Sequence, residues 1–303
     1  MNGLMRRLVL FGFVALGMLG LALAADTMPN VVRDAAPAID WCQRYAEATK
    51  RAADEKKLLF IYFQPTTPDA NSTQFEQVAL EDRAVRKQLA GMVCLRTPIN
   101  AWIESNGQKI RLVDHPAFEE LGHGPGAILI DFAHADQPYY GHMVSAMPLT
   151  ASKYYRFHPT HLPVLLDLPP GTITQRTLVF AVRIHPEAPA STQGSDLPVL
   201  VAEAGSHSQY QANIRVQGHH FWDRRFHRLS GLLPRGLRPR EVCAESWPNE
   251  RLVDAAVDCV DCWRQSSGHW SAVRANHPHF GYDMQKGSNG IWYATGVFGT
   301  DRD

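Results

Sequence analysis

Leu-Leu-Phe-Ile-Tyr-Phe, residues 58–63, is an unbroken apolar and aromatic run of strand length, entered through two lysines and left through Gln-Pro. A strand with one wet face alternates polar and apolar side chains. This run is apolar on both faces, so it must be covered on both, which places it inside a sheet between two layers. The helix-patterned WCQRYAEATKRAADE stands before it. After it come the turn-rich PTTPDANST, the helical FEQVALEDRAVRKQLA and the strand-like MVCLRTPI. That order predicts a parallel sheet with helical crossovers. A further apolar run, AILIDF, leads through a polar turn to YYGHMVSAM and predicts a closing antiparallel hairpin.

With 303 residues, 45% of them hydrophobic, the chain is long enough for two domains. Thirty basic residues balance thirty acidic ones, so no global field recruits nucleic acid or an anionic membrane. MNGLMRRLVLFGFVALGMLGLALA, residues 1–24, reads as an export signal: Arg6 and Arg7, an apolar stretch, then Ala22-Leu23-Ala24 as cleavage site. The alternative is an uncleaved anchor, which is the only membrane contact expected. Either way the chain works in a periplasmic or extracellular setting.

The stretch 38–168 resembles the thioredoxin-like family. The resemblance lies in AEATKRAADEKKLLFIYFQP, in Gly124-Pro125-Gly126 before AILIDF, and in the hairpin after it. It implies a thioredoxin-like sandwich with Pro125 beside the active loop. Where such oxidoreductases carry Cys-x-x-Cys, this chain has PTTPDANST, so dithiol exchange is not expected there.

Residues 169–196 are expected to be a linker. Pro169-Pro170-Gly171 and PEAPASTQGSD are turn-rich, and TITQRTLVFAVRI between them is expected to form one strand. Residues 197–299 hold seven of the fourteen histidines. LPVLVAEAGSHSQYQANI reads as a helix with His207 and Gln211 on one face, and GHHFWDRRFHRL as a second. EVCAESW supplies Glu245, and NERLVDAAVDCVDCWRQ is a third helix expected to end near Gly268 and hand the chain to His269. FGYDM and GIWYATGVFG form a terminal hairpin.

This second order resembles the CAP superfamily of cysteine-rich secretory, antigen 5 and pathogenesis-related proteins, through AGSHSQYQA, EVCAESW, CWRQSSGHW and GIWYATGVFG. It implies a compact α-β-α domain, so the fold class expected for the whole chain is α/β and α+β. It also implies a central cleft lined by His207, Glu245 and His269, with Ser266 or Ser267 near a fourth place. Imidazoles with one carboxylate suit zinc or another divalent metal, the one cofactor considered. Trp263 and Trp270 would form the walls, and Trp222, Trp247 and Trp292 core or wall. His219 and His220 are read as supporting or surface residues. Structural readings stand beside these: a carbonyl hydrogen bond for His269, a helix cap or an ion pair with Arg264 for Glu245.

Five cysteines, Cys42, Cys94, Cys243, Cys259 and Cys262, are expected to give one structural disulfide, such as Cys243 to Cys259, with Cys262 buried. The leading function is a ligand- or metal-binding envelope protein whose partner is a small molecule, peptide or envelope component. Two enzymatic alternatives remain: a hydrolase using His269 as base, Glu245 as orienter and Ser266 or Ser267 as nucleophile, or a metal-bound water in their place, and a thiol-disulfide oxidoreductase using Cys259 and Cys262.

Overall fold

The computed structural model describes residues 37–301 apart from residue 106; the export segment expected at residues 1–24 lies outside them. The strands are β1 (Trp41–Cys42), β2 (Leu59–Gln64), β3 (Val93–Pro98), β4 (Trp102–Ser105), β5 (Gln108–Arg111), β6 (Gly126–Ile130), β7 (Met143–Pro148), β8 (Ser195–Asp196), β9 (Leu237–Glu245), β10 (His279–Lys286) and β11 (Trp292–Asp301). The helices are α1 (Tyr45–Glu55), α2 (Ala70–Gln74), α3 (Arg83–Leu89), α4 (His161–Leu166), α5 (Ile173–Ile184), α6 (Pro198–Ile214), α7 (Trp222–Leu232), α8 (Leu252–Gln265) and α9 (Ser267–Arg274). The architecture is mixed α/β.

The first sheet runs β1-β3-β2-β6-β7. β1 and β2 both pair parallel with β3, whereas β6 is antiparallel to β2 and to β7. The opening apolar run is thus the middle strand, with Leu59 to Phe63 all at 0% exposure. Its side chains divide by parity. Leu59, Ile61 and Phe63 pack towards α1, while Phe60 and Tyr62 enter the core shared with the second half.

The second sheet runs β8-β10-β11-β9, with the long β10–β11 hairpin at its centre and β9 as an edge. Val242, Ala244, Phe280, Tyr282, Ala294 and Phe298 face α5, α8 and α9 on one side. Leu237 and Val297 meet α6 and α7 on the other. Gly281 makes the α6 packing possible: a Cβ there would stand 2.2 Å from the backbone carbon of Leu200.

The strand expected in TITQRTLVFAVRI is a helix, α5. Thr172 and Gln175 form a capping box at its start. Its residues 176–182 are all buried, because it is enclosed by β7, β10, α4 and α8. Its Ile, Thr, Val and Phe residues carry strand propensity and alternate well enough to pass for a strand, although the helix is amphipathic. The expected linker is therefore a core helix, and the core around it takes side chains from both sheets within one compact unit.

All five cysteines are free thiols. Cys243 and Cys259 lie on opposite faces of β9: Cys259 packs with Val242 and Ala244, while Cys243 points the other way beside His219. The expected bridge between them is therefore absent. Cys42 and Cys94 are likewise in different cores, on either side of the first sheet. No described helix is long and apolar enough to cross a membrane.

Carboxylates join the two halves. Glu120 accepts the Leu252 N–H at 2.9 Å and so caps α8 from the first half. Asp254 accepts the backbone N–H groups of Tyr154 and Tyr155 and the Ser152 hydroxyl, each at 2.8 Å. Glu250 is treated differently. Its side chain is 8% exposed, Lys153 stands 3.9 Å away, and neither oxygen makes a hydrogen bond of normal geometry.

Burial, with Asp258 and Asp254 nearby, raises Glu250 from 4.5 to about 7. The unfolded chain releases this proton more readily, so stability is full at acid pH and declines as pH rises towards 7. Urea unfolding across pH should show Glu250→Gln gaining on the wild type between about pH 4.5 and 7 and converging with it at acid pH. Parallel curves for the two proteins would mean that Glu250 ionises freely.

Candidate functional site

The polar centre of the second half assembles on the α6–α7 face of β9 and at its edge. α6 supplies Glu203 and His207 one turn apart, both 3% exposed. At its end Arg215 takes a left-handed φ of 59°, and the chain turns into the loop 216–221. That loop is tied back to α6 twice: His207 Nε2 donates to the Gly218 carbonyl at 2.8 Å, and the Gly218 N–H donates to Gln211 Oε1 at 3.0 Å. The same-face pair of His207 and Gln211 thus holds a loop, and the next residue on that loop is His219.

β9 supplies Glu241 and Cys243. The Glu241 side chain is 1% exposed and is met by three hydrogen bonds from two side chains. Arg225 of α7 bonds both of its oxygens, one of them at 2.8 Å, and His219 Nδ1 donates to Oε1 at 2.8 Å. Arg225 also reaches Glu203 at 3.1 Å, and Arg228 pairs with Glu203 as well. Burial alone would raise the Glu241 pKa, yet the hydrogen bonds from His219 and Arg225, with His207 and Arg225 as nearby charges, hold it below the usual range. It is an ionised carboxylate in the interior.

His269 arrives from the other side of the sheet. α8 ends at Gln265 rather than near Gly268, because Ser266 closes it and caps α9, its hydroxyl accepting the His269 N–H at 3.5 Å. His269 therefore sits in the first turn of α9, which Arg240 anchors through the Gly268 carbonyl at 2.9 Å. His269 Nε2 lies 3.2 Å from His219 Nε2 across the edge of β9. Burial, then His219 and Arg240, lower the His269 pKa, so its imidazole is neutral at pH 7.

Two donor sets could hold a cation. The buried one is His207, Glu241 and Cys243, with ligand atoms within 4.8 Å of one another. There His207 Nε2 is already a donor, Glu241 is clasped by a guanidinium, and burial raises the Cys243 thiol well above its ordinary value. A cation would have to displace Arg225. The second set is the His219–His269 pair. Ligand bonds near 2.0 Å in a tetrahedral centre place two nitrogens about 3.3 Å apart, close to the separation found. Glu241 holds Nδ1–H of His219 and frees its Nε2, the carboxylate–imidazole support usual behind a metal ligand. His219 is 41% exposed, which leaves the remaining coordination positions to solvent or ligand.

Of the residues expected at the cleft, His269 belongs to this pair and His207 lies behind it. Glu245 is exposed at the end of β9, four residues and about 13 Å beyond Glu241. Arg264 pairs with Glu187 instead. The Ser266 hydroxyl is engaged at the cap, and Ser267 is exposed on α9. Trp263 and Trp270 pack into the core between the sheets, against Tyr282 and His185 respectively, and Trp247 is 62% exposed rather than core or wall.

Glu241 and Arg225 are the residues that sequence reading passed over; His219 was read as a supporting or surface residue and Cys243 as a disulfide partner. The available signal was parity: Glu241, Cys243 and Glu245 share one face of a strand, so Glu241 was an equal candidate. No protein-family model matches the chain, and no curated protein matches it in sequence.

Arg225→Met should remove the guanidinium from Glu241, leave Glu203 to Arg228 alone, and lower unfolding stability by about 3–5 kcal/mol. Urea denaturation measures this, and a loss below about 1 kcal/mol would show a solvent-screened network of surface strength.

Proposed function

We propose that this is an exported cell-envelope or secreted protein in which a redox-inactive thioredoxin-like module accompanies a CAP-like module that binds a divalent metal, zinc by preference, at His219 and His269. The observation that carries the reading is the 3.2 Å approach of two Nε2 atoms, one of them oriented by a buried carboxylate. The bound ion would supply Lewis-acid chemistry and an attachment point for an anionic or carbonyl group of a small-molecule, peptide or envelope ligand. The chain's own part is to fix both rings, keep Glu241 ionised and leave the outer side open.

Architecture supports the module assignments. The first sheet combines parallel β1, β3 and β2 with antiparallel β6 and β7, as a thioredoxin-like order requires. PTTPDANST follows β2 without a thiol, and Asp69 caps α2 through the Ser72 N–H there. The second sheet lies between α6–α7 and α8–α9, which suits an α-β-α domain.

The serine-hydrolase and thiol alternatives lack reactive groups. Ser266 is committed to a helix cap, and no hydrogen bond links Ser267 to His269 among the described residues. Burial raises the Cys259 thiol well above its ordinary value and lifts Cys262 to about 11, the reverse of what a nucleophilic thiol needs.

Zinc titration of the chain lacking residues 1–24, with elemental analysis, tests the proposal. One zinc per chain is expected. His219→Ala and His269→Ala should each abolish tight binding, and Glu241→Gln should weaken it by about tenfold to a hundredfold. Absence of zinc, or wild-type affinity in both histidine variants, would refute the assignment.

A further inference from the structure

A cavity whose lining includes neither His219 nor His269 lies at the seam between the halves, its His185 packed on Trp270. It is a half-open pocket of about 360 Å³, within the range of small-molecule sites. The 154–158 segment, α4, the end of α5 and one face of α8 line it, with Phe157, Ile184 and Val260 giving apolar walls. Tyr155, His161 and His185 stand among them, and the charged Arg156 and Asp261 lie where the pocket opens to solvent.

The hydrogen bonds of these groups fix what they offer. His161 Nδ1 accepts the His158 N–H at 3.3 Å, so its proton is on Nε2. His185 Nδ1 accepts the Glu187 N–H at 3.1 Å, so its proton is on Nε2 too. The His185 side chain is 9% exposed, and its Nε2 stands 3.7 Å from Asp261, too far for a hydrogen bond. Tyr155 is 1% exposed, and its hydroxyl has no partner. Burial, with His158 nearby, depresses His161 to about 4, and burial lowers His185 despite Asp261, so both rings are uncharged at pH 7.

A largely apolar pocket whose inner donors are uncharged imidazole N–H groups has a definite preference. A charged ligand would meet Arg156 or Asp261 only at the exposed mouth and would be desolvated further in. Pure hydrocarbon would leave the donors unpaired, the costly outcome for buried polar groups. We propose that this cavity is a binding site for a small uncharged apolar or aromatic molecule carrying a carbonyl or comparable acceptor, received by His161 and His185. The site is separate from the metal reading and does not depend on it. Because α5 and α8 form its walls, an occupant would also stiffen the seam between the halves.

Prodan, an uncharged naphthalene dye with one ketone, matches this chemistry and reports burial by a blue shift. Titrated into the chain lacking residues 1–24, it should bind saturably with a blue-shifted emission. Ile184→Trp, which fills the chamber, should weaken binding by at least about tenfold, and His161→Phe by about fivefold, the effect of one lost hydrogen bond. His269→Ala should leave it unchanged. Val257→Trp, from the α8 wall, replaces Ile184→Trp if that variant does not fold cooperatively by circular dichroism. The proposal is overturned if prodan does not bind saturably, as for a chamber holding water alone. It is also overturned if a folded filling variant binds as the wild type does, or if His269→Ala abolishes binding.

Discussion

Glu241 is a carboxylate with 1% side-chain exposure, and its ionisation organises the second half of the molecule. A lone interior charge would cost several kcal/mol, so its neighbours are specified by it: a guanidinium clasping both oxygens and an imidazole N–H on one of them. The guanidinium draws α7 onto β9 and α6, where Glu203 shares it. The imidazole N–H fixes the tautomer of His219 and turns its other nitrogen outward, towards His269. One buried charge thus sets helix placement, ring orientation and the open face of the site.

Position on the sheet does the rest. β9 is an edge strand, so a helix on one face and a loop on the other can each send a histidine around it. Further inside, Arg225 and the raised Cys243 thiol keep cations away from the interior trio. At the opposite end of the chain's core, α5 binds the two sheets together, and carboxylates of α8 and of the first half fasten the seam. The cavity beside α5 is a product of that junction: two layers that each pack well on the helix leave a chamber where its end, α4 and α8 diverge.

How much of this was legible in the sequence follows from local physics. Strands buried on both faces announce themselves as apolar runs, and β2, β6 and β11 were readable on that ground. α5 was not, because its β-branched and aromatic residues favour a strand and only its packing among β7, β10, α4 and α8 selects the helix. His269 could be named since it follows a helix-patterned segment between tryptophans, although the tryptophans themselves belong to the core. Glu241 and Glu245 have the same parity on β9, and only the pairing with α7 distinguishes them. His219 looked like a surface residue; its role is set by Glu241, 22 residues later. Long-range partners of this kind leave no periodic trace.

The tautomers of the two facing histidines offer the most direct test. Long-range proton–nitrogen spectra of the imidazoles at neutral pH should show His219 protonated on Nδ1, with His269 donating from Nε2 to His219 Nε2. Adding zinc should shift both Nε2 resonances and move the His269 proton to Nδ1. A His219 proton on Nε2 in the free protein, or Nε2 resonances unmoved by zinc, would contradict the account.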